Sequence, residues 1–253
     1  MKQTSLLLLP ALLIATLAQG ATTPDAALPA PTVADIPFTQ VGGSNLLLDA
    51  YLPEGPGPFP ACILVHGGGF RNGNKKSYIH PLFAPLRDAG FACFSVDYRL
   101  APAHRWPTGI EDVEAAIRWL KAHAAEYRAD PKRIALIGES AGGHYVSYIG
   151  VTAREPVQAV VPIYAPHDLE ARVRQSQEIG ASMAALLDLK EVNEDAFKKL
   201  RDASPIQHLR ANLPPFLLLH GDKDTTVPLE QSTQFQARML ALGNPCDLAA
   251  CRT

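Results

Sequence analysis

The sequence predicts an α/β fold, a mostly parallel central sheet with helices on both faces. Three observations predict it. Short apolar runs alternate with longer segments of helical period. One run, FPACILVHG (Phe59–Gly67), is continuously apolar, as a strand covered on both faces must be. The runs and the helical segments repeat as β-then-α units joined by short loops, which suits a parallel sheet. At 253 residues and 47% hydrophobic content the chain can bury one substantial core.

The elements follow in order. Lys2 and the apolar run Leu6–Leu17, interrupted by Pro10 and Thr16, precede the small residues Ala18-Gln19-Gly20. That order reads as a signal peptide over 1–20, too short for a membrane span of about 20 residues. It implies a secreted or periplasmic protein without a stable membrane anchor. Residues 21–40, rich in Pro, Ala and Thr, read as an extended leader, so the folded domain is expected over 41–253. Within it NLLLDAYL, FPACILVHG and FACFSVDYR read as strands. HPLFAPLRDAG reads as a short helix closed by Gly90. From Gly109 to Tyr127 the residues Val113, Ile117 and Leu120 recur at helical spacing. KRIALIGES is a strand running into a turn, AGGHYVSYIGVTA a helix, and VQAVVPIYAP a strand. Residues 169–203 are charged, Ala/Leu-rich and helical, a cap or crossover rather than a second domain. PPFLLLHG is a further strand, and Leu229–Leu242 a helix with Phe235, Met239 and Leu242 on one face.

Composition narrows the function classes. A formal charge of −2 and two Trp give no basic stripe for nucleic acid. Of the four cysteines, Cys62 and Cys93 lie inside apolar runs and read as small buried hydrophobes. Cys246 and Cys251 leave a local disulfide open.

Gly138-Glu139-Ser140-Ala141-Gly142 matches G-x-S-x-G where an apolar strand meets a helix. A serine there projects its hydroxyl above the sheet edge, and the helix N-terminus favours the negative charge that develops beside it. The bland alternative is a helix N-cap. His66-Gly67-Gly68-Gly69-Phe70 ends another buried strand. Acyl transfer needs backbone N–H groups aimed at an oxyanion, so Gly68 and Gly69 with Ala141 are the candidates, a plain turn being the alternative. His66 reads as an anchor of this loop.

Together HGGGF, DYRLAP (Asp97–Pro102) and GESAGGH resemble the α/β-hydrolase superfamily, and within it the hormone-sensitive-lipase-like esterases and bacterial feruloyl and acetyl-xylan esterases. The resemblance runs from about Val41 to Asp247. It implies a carboxylic-ester hydrolase with Ser140 as nucleophile, acting on small acyl or aryl esters, including ester decorations of plant polysaccharide. No metal or organic cofactor is implied. HGDKDTTVP resembles the family's acid loop and makes Asp224 the acid; on residues alone Asp224 is equally an ordinary turn aspartate.

The family order then requires a histidine, in a Gly-His context beyond one more helix and strand. None follows His220, and AACRT departs from the pattern. The resemblance therefore implies a chain incomplete at its C-terminus, without the last strand, the last helix or the catalytic histidine, and impaired in activity. A single-base shift or premature stop would produce this. No pattern selects a substitute: His144 reads as packing against the sheet, His220 belongs to a strand end, and His104, His167 and His208 fall in loops. A prolyl-oligopeptidase-type exopeptidase and a catalytically dead binding module are the competing readings.

Overall fold

The computed structural model describes residues 29–252 apart from residue 153. The expected signal peptide and the first part of the leader lie outside the described residues. Eight strands form one sheet, in the order β1 (Val33–Val41), β2 (Ser44–Tyr51), β4 (Ala92–Val96), β3 (Phe59–Val65), β5 (Ala129–Glu139), β6 (Ala159–Ile163), β7 (Phe216–Gly221) and β8 (Cys246–Cys251). The pairs β1/β2 and β2/β4 are antiparallel; every other pairing is parallel.

The helices are α1 (Phe83–Asp88), α2 (Thr108–His123), α3 (Ala141–Thr152), α4 (Leu169–Ser176), α5 (Ala181–Leu187), α6 (Glu194–Ala203) and α7 (Glu230–Ala241). The continuous apolar run of β3 has the expected cause. Ala61, Ile63 and Val65 join the apolar cluster that includes α2, α3 and α7. Cys62 and Leu64 point the other way, into the cluster around Phe83 and Leu86 of α1. Val113, Ile117 and Leu120 are fully buried, as their spacing predicts. Phe235 and Met239 are fully buried as well, whereas Leu242 lies beyond the end of α7 and is 41% exposed. Three helices fill 169–203, with no strand among them.

Two sequence expectations are corrected. Residues 33–40, assigned to the leader, belong to β1, so the sheet begins at Val33 and not near residue 41. Only Ile36 and Phe38 of this strand are buried, and Pro37 sits beside a register shift, as an edge strand tolerates. The second correction concerns the far edge. A last strand does form: β8 pairs with β7 in register from Phe216↔Cys246 to Gly221↔Cys251, so β7 is not an exposed edge. Pairing satisfies the backbone groups along β7, and an edge position makes few demands on side chains, so Ala249 and Ala250 suffice. Cys246 and Cys251 are both free. They sit at opposite ends of β8, roughly 16 Å apart at strand rise, beyond the reach of a disulfide.

The DYRLAP segment leaves β4 and is tied to α2 by one ion pair. Arg99 donates from Nε and Nη2 to the Asp112 carboxylate, and its backbone N–H donates there too. Asp112 is 3% exposed and Arg99 22%. Removing one partner of such a pair strands the other charge. Asp112→Ala is expected to lower stability by about 3 kcal/mol, read as a drop in the urea midpoint at unchanged slope.

Candidate active site

The elbow is built by close approach. Only Ser140 separates β5 from α3, and its φ is +49°, in the left-handed region costly for a side chain. Neighbouring glycines make that geometry possible. A Cβ on Gly142 would lie 2.2 Å from Val65 O and 2.4 Å from His66 O; one on Gly138 would lie 2.4 Å from Gly142 O. The start of α3 is thus pressed onto the end of β3. The Ser140 N–H donates to Ile163 O at 2.9 Å, locking the turn to β6. The Ser140 hydroxyl has no hydrogen-bond partner among the described residues and is free for chemistry.

The glycine loop lies against this elbow. A Cβ on Gly67 would be 3.3 Å from Ser140 Cβ, and Gly68 and Gly69 take φ of +102° and +59°. Among the hydrogen bonds between described residues, none uses the N–H of Gly68, Gly69 or Ala141. Three free amides beside one serine and at a helix N-terminus form a cradle for developing negative charge. His66 is the loop anchor that its sequence position suggests: buried, stacked on Tyr98 at 4.2 Å, its Nδ1 donating to Gly67 O at 2.7 Å.

Three supporting residues were not singled out by sequence reasoning. The Tyr98 hydroxyl donates to His66 O and Gly67 O at 3.0 and 3.1 Å, giving DYRLAP a physical role. Glu139, the variable position of the pentapeptide, accepts from Gly67 N–H at 3.3 Å and from the Tyr164 hydroxyl. Burial pushes the Glu139 carboxyl above its ordinary value, and these two donors pull against that rise. Tyr164, at the end of β6, is raised by burial and by the charge of Glu139. Their motif and strand-end positions were the available clue, but the partners are distant in sequence.

Asp224 stands on the loop after β7, two strands from the elbow or about 10 Å of sheet. Its Oδ1 accepts from the N–H groups of Thr226 and Val227 at 2.8 and 2.9 Å, and its Oδ2 lies 3.8 Å from His220 Nε2. A cleft of about 370 Å³ opens here, lined by Tyr164, His220, Lys223, Asp224 and Cys251. A larger cavity of about 900 Å³, lined by Thr32, Phe59 and Arg128, lies where β3 and β5 begin, the opposite end of the sheet from Ser140.

No described histidine occupies the position between serine and acid. His220 is buried and committed, donating from Nε2 to Val227 O at 2.7 Å and pairing through Nδ1 with Ser232 Oγ at 2.8 Å. His144 donates to Pro166 O at 2.8 Å and packs against Phe70 and Trp106. His167 is buried on Phe235, its Nε2 bonded to Ser147 Oγ at 3.1 Å. His208 bonds to Asp202 O, and His104 is exposed. Among the described residues no group of three or more His, Cys, Asp or Glu could hold a metal ion.

Residues 48–239 match the BD-FAE family. Esterase LipC of Mycobacterium tuberculosis is 35% identical over 198 residues, 73% of this chain and 49% of its own length. Esterase LipQ of the same organism is 32% identical over 228 residues, 85% of this chain and 54% of its own. The chain therefore spans about half the length of the curated relatives it matches. Among solved structures, a truncated form of a carbohydrate esterase from gut microbiota superposes with a TM-score of 0.78 at 26% identity, covering 91% of this chain and 90% of that one. A thermophilic esterase of Thermogutta terrifontis gives 0.72 at 25% identity, covering 92% and 85%.

Two expected outcomes follow from this geometry. Tyr98→Phe removes the donor shared by two loop carbonyls; a loss of about 1–3 kcal/mol is expected, with slower labelling of Ser140 by a fluorophosphonate. The second concerns acid. Burial lowers His66 and His144 to about 4 and His167 to about 3. Unfolding releases these rings to about 6.5, so below that pH the unfolded state binds more protons and stability falls. The loss runs from about pH 6.5 down to about pH 4 for His66 and His144 and about pH 3 for His167, at up to roughly 1.4 kcal/mol per pH unit for each ring. Buried carboxyls such as Glu139, raised in the fold, offset part of it. The urea midpoint should be flat above pH 7 and decline below 6.5; substituting Phe at His144 should flatten the decline.

Proposed function

The chain belongs to the BD-FAE family, and from that membership we propose that it is a serine carboxylic-ester hydrolase working through an acyl-serine intermediate. The observation that carries the reading is the strained Ser140 with three unpaired amides around it. Ser140 Oγ attacks the ester carbonyl, and the oxyanion accepts hydrogen bonds from Gly68, Gly69 and Ala141. The alcohol leaves with a proton, and water then releases the acid from the serine.

The serine proton needs an acceptor in the cleft between Ser140 and Asp224. His220, which lines that cleft, has both ring nitrogens bonded to Ser232 Oγ and Val227 O, so weak turnover is the expectation for the 253-residue polypeptide itself. Loss of a triad base costs about 10⁴–10⁶ in kcat and leaves roughly 10³–10⁴ over water. For substrates, the likeness to a carbohydrate esterase supports small acyl esters on carbohydrate. The order Lys2, apolar run, small residues supports export. No described helix is long and apolar enough to cross a membrane. The commitment of both His220 ring nitrogens to Ser232 and Val227 favours a second reading, a binding module on this scaffold.

Hydrolysis of 4-nitrophenyl acetate decides between them. Slow turnover is expected, abolished by Ser140→Ala and raised more than about tenfold by added imidazole. That gain stays small against the loss, because free imidazole lacks the effective molarity of a tethered base. Equal rates with and without Ser140 would overturn the hydrolase reading. A rate of about 10 per second or more without imidazole would mean that another group of this chain already acts as the base.

A further inference from the structure

Charges withdrawn from water need partners, and the partly buried cations of this fold have them. Lys75 pairs with Asp35 at 2.6 Å and Asp49 at 3.0 Å; Arg99 pairs with Asp112 at 2.7 Å. Arg128 likewise lacks a carboxylate but donates to Pro53 O and Gly55 O and lies over the Phe59 ring, whereas Arg172 of α4 has a single carbonyl. It is half-buried, and the one hydrogen bond of its guanidinium among the described residues runs from Nη2 to Thr226 O at 2.9 Å. No carboxylate among the described residues forms an ion pair with it. Burial lowers its pKa from the usual arginine value, and the more distant charge of Asp224 opposes that shift. The carbonyl fixes one arm of the guanidinium and leaves a pair of parallel N–H donors free.

Its place in the fold says what those donors face. Arg172 lines a cleft of about 310 Å³ together with Glu178, Met183, Thr225 and Pro228. Met183 follows Ser182, whose Oγ lies 2.6 Å from where a Cβ on Gly69 would stand. Thr225 follows Asp224. The cleft is therefore walled on one side by α5, which sits on the oxyanion glycine, and on the other by the acid loop.

We propose that Arg172 is a subsite for a substrate carboxylate, so that the enzyme prefers esters carrying a negative charge on the acyl or the alcohol part. This rests on the hydrolase reading. Glu178 in the same cleft and Asp224 beyond it both oppose an anion. Glu178 is exposed and screened by salt, however, whereas a bidentate carboxylate would meet the guanidinium at hydrogen-bond distance.

Two matched ester pairs and one binding measurement test this on the full chain. The pairs are 4-nitrophenyl hemisuccinate against 4-nitrophenyl butyrate, charged on the acyl side, and 4-acetoxybenzoate against phenyl acetate, charged on the alcohol side. Arg172→Met should lower the anionic-to-neutral ratio of kcat/KM by about tenfold or more in at least one pair, the cost of a lost charge-assisted hydrogen bond. Arg172→Lys should keep part of the ratio, and the pair that responds tells which side of the ester carries the charge. Unchanged ratios in both pairs would overturn the proposal, including the case in which Arg172→Met slows both members together because it only holds Thr226. Succinate binding is measured by calorimetry on Ser140→Ala, independently of turnover. Binding lost on adding Arg172→Met supports the subsite even if no ester is hydrolysed, which would count against the hydrolase reading alone. No difference in succinate binding, with active enzyme and unchanged ratios, would count against the subsite alone.

Discussion

The contact between the first turn of α3 and the ends of β3 and β5 is the constraint on which the rest depends. Backbone meets backbone there with no room for a Cβ at Gly138 or Gly142. That approach holds Ser140 at positive φ and lifts its hydroxyl clear of the sheet. It also aims the helix N-terminus at the space beside the hydroxyl, so strain and electrostatics come from the same packing event. The Ser140 carbonyl accepts the first hydrogen bond of α3, from His144 N–H at 2.9 Å, while its hydroxyl has no partner among the described residues.

The strain persists because neighbours on several strands over-determine it. Ile163 O on β6 takes the Ser140 N–H, and Glu139 ties the glycine loop to Tyr164 on the same strand. From the other side Tyr98 grips two carbonyls of that loop. Each bond joins segments that the chain separates by 23 to 72 residues. Rigidity at the serine is therefore a property of the sheet as a whole. Asp224 differs: its Oδ1 holds its own loop through two local backbone N–H groups, and its Oδ2 lies 3.8 Å from His220 Nε2.

Buried polarity divides into two kinds. His66, His144 and His167 are kept neutral by burial and each leaves one ring nitrogen without a partner. They belong to the core and are the groups through which acid would loosen it. Arg172 stays charged, half-buried beside the acid loop. The neutral rings are absorbed by aromatic packing, whereas the free donors of the Arg172 guanidinium face a cleft.

By itself the sequence determined the layer order, most strands, the position of Ser140 and the glycines beside it. These follow from local causes: apolar period, tight turns and the absence of a Cβ where backbones meet. It placed Asp224 on its loop and read His66 as a loop anchor and His144 as packing, and both rings are buried in the fold. Only the tertiary structure decided the two edges. In β1 few side chains are buried, so its pattern is weak, and β8 is held by backbone pairing to β7, which favours no particular residues. The roles of Tyr98, Glu139, Tyr164 and Arg172 were likewise settled by folding, because each rests on partners or neighbours brought together across the sheet. Period and turn chemistry are written in neighbouring residues; long-range hydrogen bonds and unpaired charges exist only once the strands are side by side.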